Sequence, residues 1–279
     1  MIDDVKTRVA SDLAKYRSMM SSDDSLTRLE FDEGSKISMP RNADEGLSVD
    51  WIYTIQNMIV ARLFRRFIDA NPALKINRLT RRRDEKTFCI DIGSQIEFIS
   101  VLASETNYVI IDPSIQPPGK VLTVEPGMVF MSQEAQSLKF KDGSFLWATS
   151  LHAIEHFGLG RYGDTVDPKG DIRGIQEIHR ILQRQGIFVG SVPIVPEGQE
   201  HVAFNKNRKY SIPLIKKIIE DAGFQIEFEQ VGLMPTDMLH RDGQPTHMCS
   251  TDEYKQFTDA IPDKARFPES VYVWLARKT

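Results

Sequence analysis

Two hydrophobic spacings alternate along most of the chain. Short continuous apolar runs, which are typical of buried strands, occupy residues 87–92, 107–112, 127–131, 144–150, 186–192, 224–231 and 270–276. Three stretches instead repeat their apolar residues every three or four positions, at 96–104, 171–183 and 212–222. This second spacing is typical of amphipathic helices. Because strands and helices follow each other in turn, the sequence predicts an α/β fold with a parallel sheet and crossover helices.

The N-terminal part has a different pattern. Up to about residue 46 the chain is polar and weakly periodic, so we expect a flexible or helical lead-in. From Asp50 to Ala70 a helical stripe of large apolar residues follows, formed by Trp51, Ile55, Met58, Ile59, Leu63 and Phe67. Packing against the core is the expected role of this helix, with a lid over a cleft or a contact between subunits as alternatives. We therefore divide the chain into an N-terminal helical extension, 1–85, and an α/β domain, 86–279.

Charge and composition narrow the range of partners. A net charge of -4 creates no general attraction for nucleic acid or an anionic membrane. The run Arg81–Arg83 has no interleaved aromatic residues, so it is interpreted as a solvated linker. No stretch approaches the ~18 apolar residues of a membrane span, and the N-terminus has no apolar signal core. We expect a cytoplasmic protein in which Cys89 and Cys249 are reduced.

Polar residues follow the first three predicted strands of the α/β domain. Asp91 and Gly93 lie at the end of the first strand, Asp112 ends the second, and Glu134 follows the third. Ligands of open α/β sheets bind at the carboxyl ends of the strands. Asp112 has the separation from Gly93 at which a carboxylate can accept hydrogen bonds from both hydroxyls of a ribose. Glu134 could accept the amino group of an adenine. Ordinary turns explain the same residues equally well, with Asp112-Pro113 a common turn dipeptide.

The fourth predicted strand runs into a cluster that carries chemistry. In WATSLHAIEHFGLGRYGD, the apolar run stops at His152, Glu155 and His156 before a glycine-rich loop. Histidine is the usual general base at neutral pH. A purely structural role at the start of a short helix is the alternative. The spacing of His152 and His156 is also half of a metal site, but no third ligand is identifiable in the sequence, and we predict no metal.

The order of these segments resembles the class I S-adenosylmethionine-dependent methyltransferases, from about residue 86 to the C-terminus. In that superfamily an acid-alanine pair precedes a phrase such as ESLPFPDGSFD, which is similar to QSLKFKDGSF here. Arg180, Ile181, Leu182 and Gly186 match the end of a helix and the start of the fifth strand. The resemblance implies a Rossmann-like, seven-stranded, mostly parallel sheet whose last strand is antiparallel. It also implies S-adenosylmethionine as the cofactor, bound by Asp91, Gly93, Ser94, Asp112, Glu134, Ala135, Ser150 and Leu151.

A narrower resemblance covers two segments. Residues 152–171 and 204–211 are similar to a little-characterised methyltransferase-like family that is associated with bacterial surface-glycan biosynthesis. It implies O-methylation of a sugar or glycan-related acceptor, with His156 as the first candidate for the base, His152 as the second, and Glu155 orienting either. An anionic or nucleotide-linked acceptor would be held by Arg161, Tyr162, Asn205, Arg208 and Tyr210. Alternatively, Arg161 and Arg208 tie their loops to Asp164 and Asp167.

Two other classes of function remain open. The second and third glycines of the superfamily are missing after Asp91, and Gln133 stands where glycine is usual. These departures favour a catalytically silent protein that keeps the fold as a binding scaffold. The acid after the second strand also suits a nicotinamide-dependent oxidoreductase. These residues determine neither the acceptor nor the methylated atom. They also leave open whether the protein is a monomer or a homo-oligomer.

Overall fold

The computed structural model describes residues 2–21, 30–31, 51–75, 89–115, 117, 119–125, 127–233, 248–260 and 270–279. Its helices are α1 (Ile2–Ser21), α2 (Trp51–Ala70), α3 (Ile96–Ala103), α4 (Gly170–Ile181), α5 (Ile212–Asp221) and α6 (Thr251–Ala260). Short 3₁₀ turns occupy Pro72–Leu74 and Ile154–His156. The expected linker at Arg81–Arg83 and the domain boundary at residue 85 lie outside the described residues.

Twelve strands are present in these ranges. They are β1 (Glu30–Phe31), β2 (Cys89–Ile92), β3 (Tyr108–Ile111), β4 (Val121–Glu125), β5 (Met128–Met131), β6 (Phe145–Leu151), β7 (Leu182–Ile194), β8 (His201–Ala203), β9 (Asn207–Lys209), β10 (Phe224–Leu233), β11 (Met248–Cys249) and β12 (Ser270–Lys278). The predicted strands and helices are all found, with ends that differ by a few residues.

The large sheet has the order β11-β10-β12-β7-β6-β2-β3-β5-β4. Strands β5, β3, β2, β6 and β7 are parallel neighbours, while β12 lies antiparallel between β7 and β10. The predicted seven-stranded, mostly parallel sheet with an antiparallel last strand is confirmed. Strands β4 and β11 add one antiparallel strand at each edge. The chain turns to β3 on one side of β2 and to β6 on the other, so the end of β2 is the topological switch point, where a crevice forms.

Several elements are missing from the sequence predictions. Strands β1, β8 and β9 form a separate small sheet, and helix α6 follows β11. Strands β8 and β9 are three residues each, and β9 has the sequence NRK. A segment this short and polar carries no alternating pattern, so its pairing depends on contacts that are distant in sequence.

Helix α2 packs on one face of the sheet. Its residues Ile59, Val60 and Ile68 are buried in a cluster with Cys89 and Trp147. The role predicted for this helix in the core is therefore confirmed, because its apolar stripe covers β2, β6 and the strands beside them. Met58 does not follow the expected stripe, since 46% of it is exposed.

Helix α1 belongs to a different cluster. Its residues Val9 and Tyr16 are buried against Leu159, Val202 and Phe204, which lie on the glycine-rich loop and near β8. The polar lead-in of the sequence is thus helical over Ile2–Ser21 and forms the short strand β1 at Glu30–Phe31, and its helix covers the loop that follows β6. None of the helices in the described ranges is both long and apolar enough to span a lipid bilayer.

Substitution within α2 tests its place in the core. Ile68→Ala removes a fully buried side chain and should lower the free energy of unfolding by about 2–5 kcal/mol, because it leaves a cavity against the sheet. Urea denaturation followed by circular dichroism measures this change. Met58→Ala on the exposed side of the same helix is the matched control, with an expected change within about 0.5 kcal/mol. Equal losses in the two variants would contradict this packing.

Candidate functional site

A cavity of about 240 Å³ opens at the carboxyl ends of β2, β3, β5 and β6. Residues from the end of each of these strands form its wall, among them Gly93, Ser94, Asp112, Ala135, Leu151 and His152. These strands are separated in sequence but parallel and adjacent in the sheet, so their ends meet at one edge. The cavity therefore lies where open α/β sheets place their ligands.

Asp112 is the carboxylate that lines this cavity directly after β3. It is half-buried, and its Oδ1 accepts a hydrogen bond of 2.8 Å from the amide of Ser114. This bond fixes the orientation of the carboxylate at the cavity wall. Its Oδ2 accepts no hydrogen bond from a described residue. A fixed carboxylate with a vacant oxygen is suited to a ligand that carries hydroxyl groups.

Asp91 does not contact the cavity, which corrects its expected role in cofactor binding. It is fully buried, and its oxygens accept hydrogen bonds from the amide and hydroxyl of Ser94 and from the hydroxyl of Thr149. Burial raises the pKa of Asp91 to about 6, although these hydrogen bonds oppose the shift. Since its carboxylate is occupied by protein donors, Asp91 supports the turn after β2 and does not line the cavity.

The expected role of Ser150 in cofactor binding is corrected for a similar reason, since Ser150 does not line the cavity. It is fully buried within β6, and its hydroxyl donates a 2.9 Å hydrogen bond to the carbonyl of Ile92. The next residue, Leu151, does line the cavity, and its amide donates to the hydroxyl of Ser94. Side chains alternate in direction along a strand, so adjacent residues of β6 face different surroundings.

Gly93 has φ +77°, a conformation that residues with a Cβ rarely adopt. A Cβ added here would lie 3.1 Å from the Cβ of Ala153, on the loop after β6. The glycine therefore permits two neighbouring strand-end loops to approach each other. Its backbone lines the cavity beside that contact.

Glu134 faces a second cavity of about 600 Å³, which shares Pro113 and Gln136 with the first. Its Oε1 accepts a 3.0 Å hydrogen bond from the hydroxyl of Thr165. The side-chain amide of Gln136 donates a 3.3 Å hydrogen bond to the backbone carbonyl of Thr165. These contacts join the loop after β5 to the glycine-rich loop. Ala135, the predicted partner of Glu134, lines the first cavity, so the pair spans both spaces.

His156 lies in the wall of the first cavity. Its Nδ1 is 2.6 Å from the carbonyl oxygen of Lys206. A carbonyl only accepts hydrogen bonds, so Nδ1 carries the proton and Nε2 of the neutral ring keeps its lone pair. Burial lowers the pKa of His156, the charge of Arg161 lowers it further, and Glu155 opposes both. The neutral, proton-accepting form is favoured.

His152 also lines the cavity, in a left-handed backbone conformation with φ +49°. Its amide donates to both the carbonyl and the hydroxyl of Ser191 on β7. Its Nδ1 is 3.3 Å from Oε1 of Glu155, whereas its buried Nε2 has no hydrogen-bond partner within the described chain. The ring of Tyr53, from the first turn of α2, lies edge-on at 5.0 Å. The sequence pattern of α2 did not indicate that Tyr53 lines this cavity.

Glu155 connects the two histidines. It is buried, and its Oε1 is 3.3 Å from Nδ1 of His152 and 3.9 Å from Nε2 of His156. Burial would raise the pKa of Glu155, but the hydrogen bond from His152 and the electrostatic influence of both rings outweigh it, so the pKa is lowered. The carboxylate stays charged between two imidazoles. Across the described ranges, no group of three or more His, Cys, Asp or Glu side chains is arranged to hold a metal ion.

The glycine-rich loop after His156 is held by a buried carboxylate. Asp164 accepts hydrogen bonds from the amides of Gly158, Gly160 and Tyr162. A Cβ on Gly158, which has φ +76°, would lie 2.2 Å from the carbonyl oxygen of Asp167. No larger residue fits there, so the loop takes a single tight course past the cavity.

Three residues predicted to bind the acceptor are in the interior, which corrects their role. Arg208 is fully buried and donates to the carbonyls of Phe157, Asp167 and Pro168. Its Nε is 3.8 Å from Asp171, which also accepts a hydrogen bond from the hydroxyl of Tyr210. Asn205 is buried too, and it lines neither of the two cavities. Arg208 therefore ties its hairpin to the glycine-rich loop through backbone carbonyls, and its ion-pair partner is Asp171 where the alternative interpretation expected Asp164 or Asp167.

Arg161 and Tyr162 remain beside the cavity. The ring of Tyr162 is 40% exposed and lies 5.6 Å from the ring of His156. Arg161 reaches the hydroxyl of Tyr162 with its Nε at 3.4 Å, and no ion pair joins it to Asp164 in the described chain. Its position explains why its charge acts on His156.

Strand order and cavity position together define a Rossmann-like α/β fold. A family described as "Caenorhabditis protein of unknown function, DUF268" matches residues 127–252, which is less than half of the chain. None of the curated proteins matches the chain significantly.

Solved structures resemble the fold at low identity. YcgJ of Bacillus subtilis is 17% identical over 69% of this chain and 92% of its own, with a TM-score of 0.44. A SAM-dependent methyltransferase of Thermotoga maritima is 19% identical over 70% of this chain and 84% of its own, with a TM-score of 0.43. One from Methanosarcina mazei is 15% identical over 74% and 99%, with a TM-score of 0.41. Likeness at this level carries no information about the substrate.

The different roles of two strand-end acids can be separated by stability. Asp91→Ala leaves three donors without their acceptor, one of them the hydroxyl of the fully buried Thr149, and should lower the free energy of unfolding by about 3 kcal/mol. Asp112→Ala removes a half-exposed acid with one protein hydrogen bond, so a change below about 1 kcal/mol is expected. Urea denaturation of both variants measures the difference. A larger loss in Asp112→Ala than in Asp91→Ala would contradict the assignment.

Proposed function

We propose that this protein is an S-adenosylmethionine-dependent methyltransferase that acts on a hydroxyl group. One observation carries the proposal. The fixed carboxylate of Asp112 and the neutral imidazole of His156 line the same cavity, at the switch point of the sheet. A nucleoside-containing donor and a proton acceptor can therefore be served by one site.

The residues present fit the adenosine part of this cofactor. Asp112 would accept hydrogen bonds from the ribose hydroxyls through its free oxygen, and the backbone around Gly93 and Ser94 would lie along the rest of the molecule. Ala135 is small and apolar, as a wall beside a flat ring requires, and Glu134 is next to it. When bound, S-adenosylmethionine supplies a methyl group activated by a sulfonium charge.

Proton removal is assigned to the histidine pair. A hydroxyl acceptor must lose a proton during methyl transfer, and a neutral imidazole takes it without first losing one of its own. Nε2 of His156 carries the lone pair, and the nearby Glu155 would stabilise the imidazolium that forms. Nε2 of His152 is the second candidate, since Glu155 holds its Nδ1 in the way that a carboxylate orients a catalytic histidine.

For the acceptor, we propose a sugar or glycan-related compound that is anionic or nucleotide-linked. Two of the five expected acceptor residues, Arg161 and Tyr162, lie beside His156 and support this class. The exposed ring of Tyr162 provides an apolar surface, and Arg161 provides a cation. Of the two arginines that the sequence suggests for acceptor binding, only Arg161 lies beside the cavity, because Arg208 is buried in the protein interior.

Ligand binding tests the cofactor assignment. S-adenosylhomocysteine should bind, and Asp112→Ala should weaken that binding about tenfold or more, because a ribose contact is lost. Isothermal titration calorimetry measures both. Asp221→Ala is the control, since Asp221 is an exposed acid on α5 that pairs with Lys217. Preferential binding of NAD would favour an oxidoreductase, and silence toward both ligands would favour a scaffold without activity.

The protonation of His156 can be measured directly. Its imidazole should titrate below the ordinary value of 6.5, because burial and the charge of Arg161 favour the neutral ring. It is thus a free base at pH 7, and base catalysis would be lost only as the pH falls through the lowered pKa. Arg161→Gln should raise this pKa, while Arg65→Gln on the exposed side of α2 should leave it unchanged. NMR titration measures the pKa of His156, with His156→Ala used to assign the signal. A pKa above 6.5 in the wild type would refute this prediction.

A further inference from the structure

Three buried polar atoms without a protein partner lie on the short segment from His152 to Arg161, beside the cavity. Among the described residues, Nε2 of His152, Oε2 of Glu155 and Nη1 of Arg161 are each inaccessible to solvent and lack a hydrogen bond. Glu155 contacts both histidines, and Arg161 lies beside the Tyr162 ring that contacts His156. Polar atoms buried in proteins are nearly always paired, so unpaired atoms that cluster indicate a place for a ligand.

Arg161 needs an acceptor that this part of the chain does not supply. The adjacent carboxylate, Asp164, is occupied by three backbone amides. Its other described partner is the hydroxyl of Tyr162, at 3.4 Å from Nε. A guanidinium that is partly withdrawn from water is best matched by a carboxylate or phosphate, which can accept two parallel hydrogen bonds.

The other two atoms require the opposite partner. With its proton on Nδ1 toward Glu155, His152 presents Nε2 as an acceptor, and the ionised Glu155 presents Oε2 as another. Hydroxyl groups satisfy both. A complementary ligand therefore carries hydroxyl donors and an anionic group on the same molecule.

We propose that the acceptor is an anionic sugar whose acidic group pairs with Arg161 while its hydroxyls face His152 and Glu155. This inference rests on the proposed methyltransferase function, because it places the reacting hydroxyl next to the histidines of that site. It also adds a selection rule. Neutral sugars leave Arg161 unpaired and bind more weakly than acidic sugars of the same shape.

Calorimetry with matched sugars tests the rule. D-Glucuronate and glucose 6-phosphate are titrated against D-glucose into protein saturated with S-adenosylhomocysteine. At least one anionic sugar should bind tenfold or more tightly than glucose, and the better anion tells whether a carboxylate or a phosphate is preferred. Equal affinity for glucose and both anions, or binding of none of the three, would overturn the proposal.

Variants locate the anion contact. Arg161→Gln should reduce the affinity for the anionic sugar to that for glucose, and Arg161→Lys should restore part of it, which a purely structural role would not predict. Arg65→Gln removes an exposed arginine from α2 and should have no effect. Unchanged binding of the anionic sugar by Arg161→Gln would also overturn the proposal.

Failure of the proposed function is distinguishable from failure of this inference. If S-adenosylhomocysteine does not bind, the methyltransferase proposal is wrong, and the same sugar titrations without it still report on Arg161. If it binds and the three sugars do not differ, the methyltransferase proposal stands and the anionic acceptor is wrong.

Discussion

The buried carboxylate of Asp91 is the constraint on which this site depends. It binds Ser94 in the turn after β2 and Thr149 in the neighbouring strand β6. Ser94 in turn accepts the amide of Leu151, the last residue of β6. The ends of two strands that are over fifty residues apart in sequence are thereby joined by side chains where the backbone ladder between them ends. Ser94 and Leu151 of this junction line the cavity. The shape of the cavity therefore depends on Asp91, although Asp91 does not line it.

A second set of buried contacts carries the chemistry. Asp164 gathers the amides of the glycine-rich loop, and Arg208 holds the same loop from below through three of its carbonyls. Between them, His156 is fixed by the carbonyl of Lys206, next to the β8–β9 turn. Asp164 and Arg208 are taken from water, so each needs a partner of matching charge or hydrogen-bonding type. These contacts hold the loop in place, and the side chains of Arg161 and Tyr162 are not among the groups that make them.

Burial also decides how the charged groups divide their roles. Two histidines share one carboxylate, yet their rings are held differently. His152 is oriented by Glu155, while His156 is oriented by a neutral carbonyl and lies beside a guanidinium. The second arrangement, together with burial, lowers the pKa of His156 and leaves its ring neutral. An acidic ligand at Arg161 would oppose the lowering of the His156 pKa by neutralising the nearby positive charge.

The sequence by itself determined the order of strands and helices and the polar residues at each strand end. Hydrophobic spacing reports whether a residue belongs to a buried strand or to one face of a helix, and this information is local. It was enough to predict the parallel sheet and the position of Asp112 at a strand end, whereas the antiparallel last strand was implied by the family resemblance. Segments such as β9 carried too few apolar residues for the same treatment.

Only the tertiary structure decided which of those polar residues face the cavity. In the sequence, four other polar residues look as available for ligand binding as Asp112 and Arg161. Hydrogen bonds to distant partners hold these four in the interior: Asp91, Ser150, Arg208 and Tyr210. Tyr53 enters the site from a helix for which core packing was the expected role and a lid over the cleft an alternative. The physical reason is that a polar side chain points wherever its hydrogen bonds can be satisfied, and the groups that satisfy it are brought together only when the chain folds.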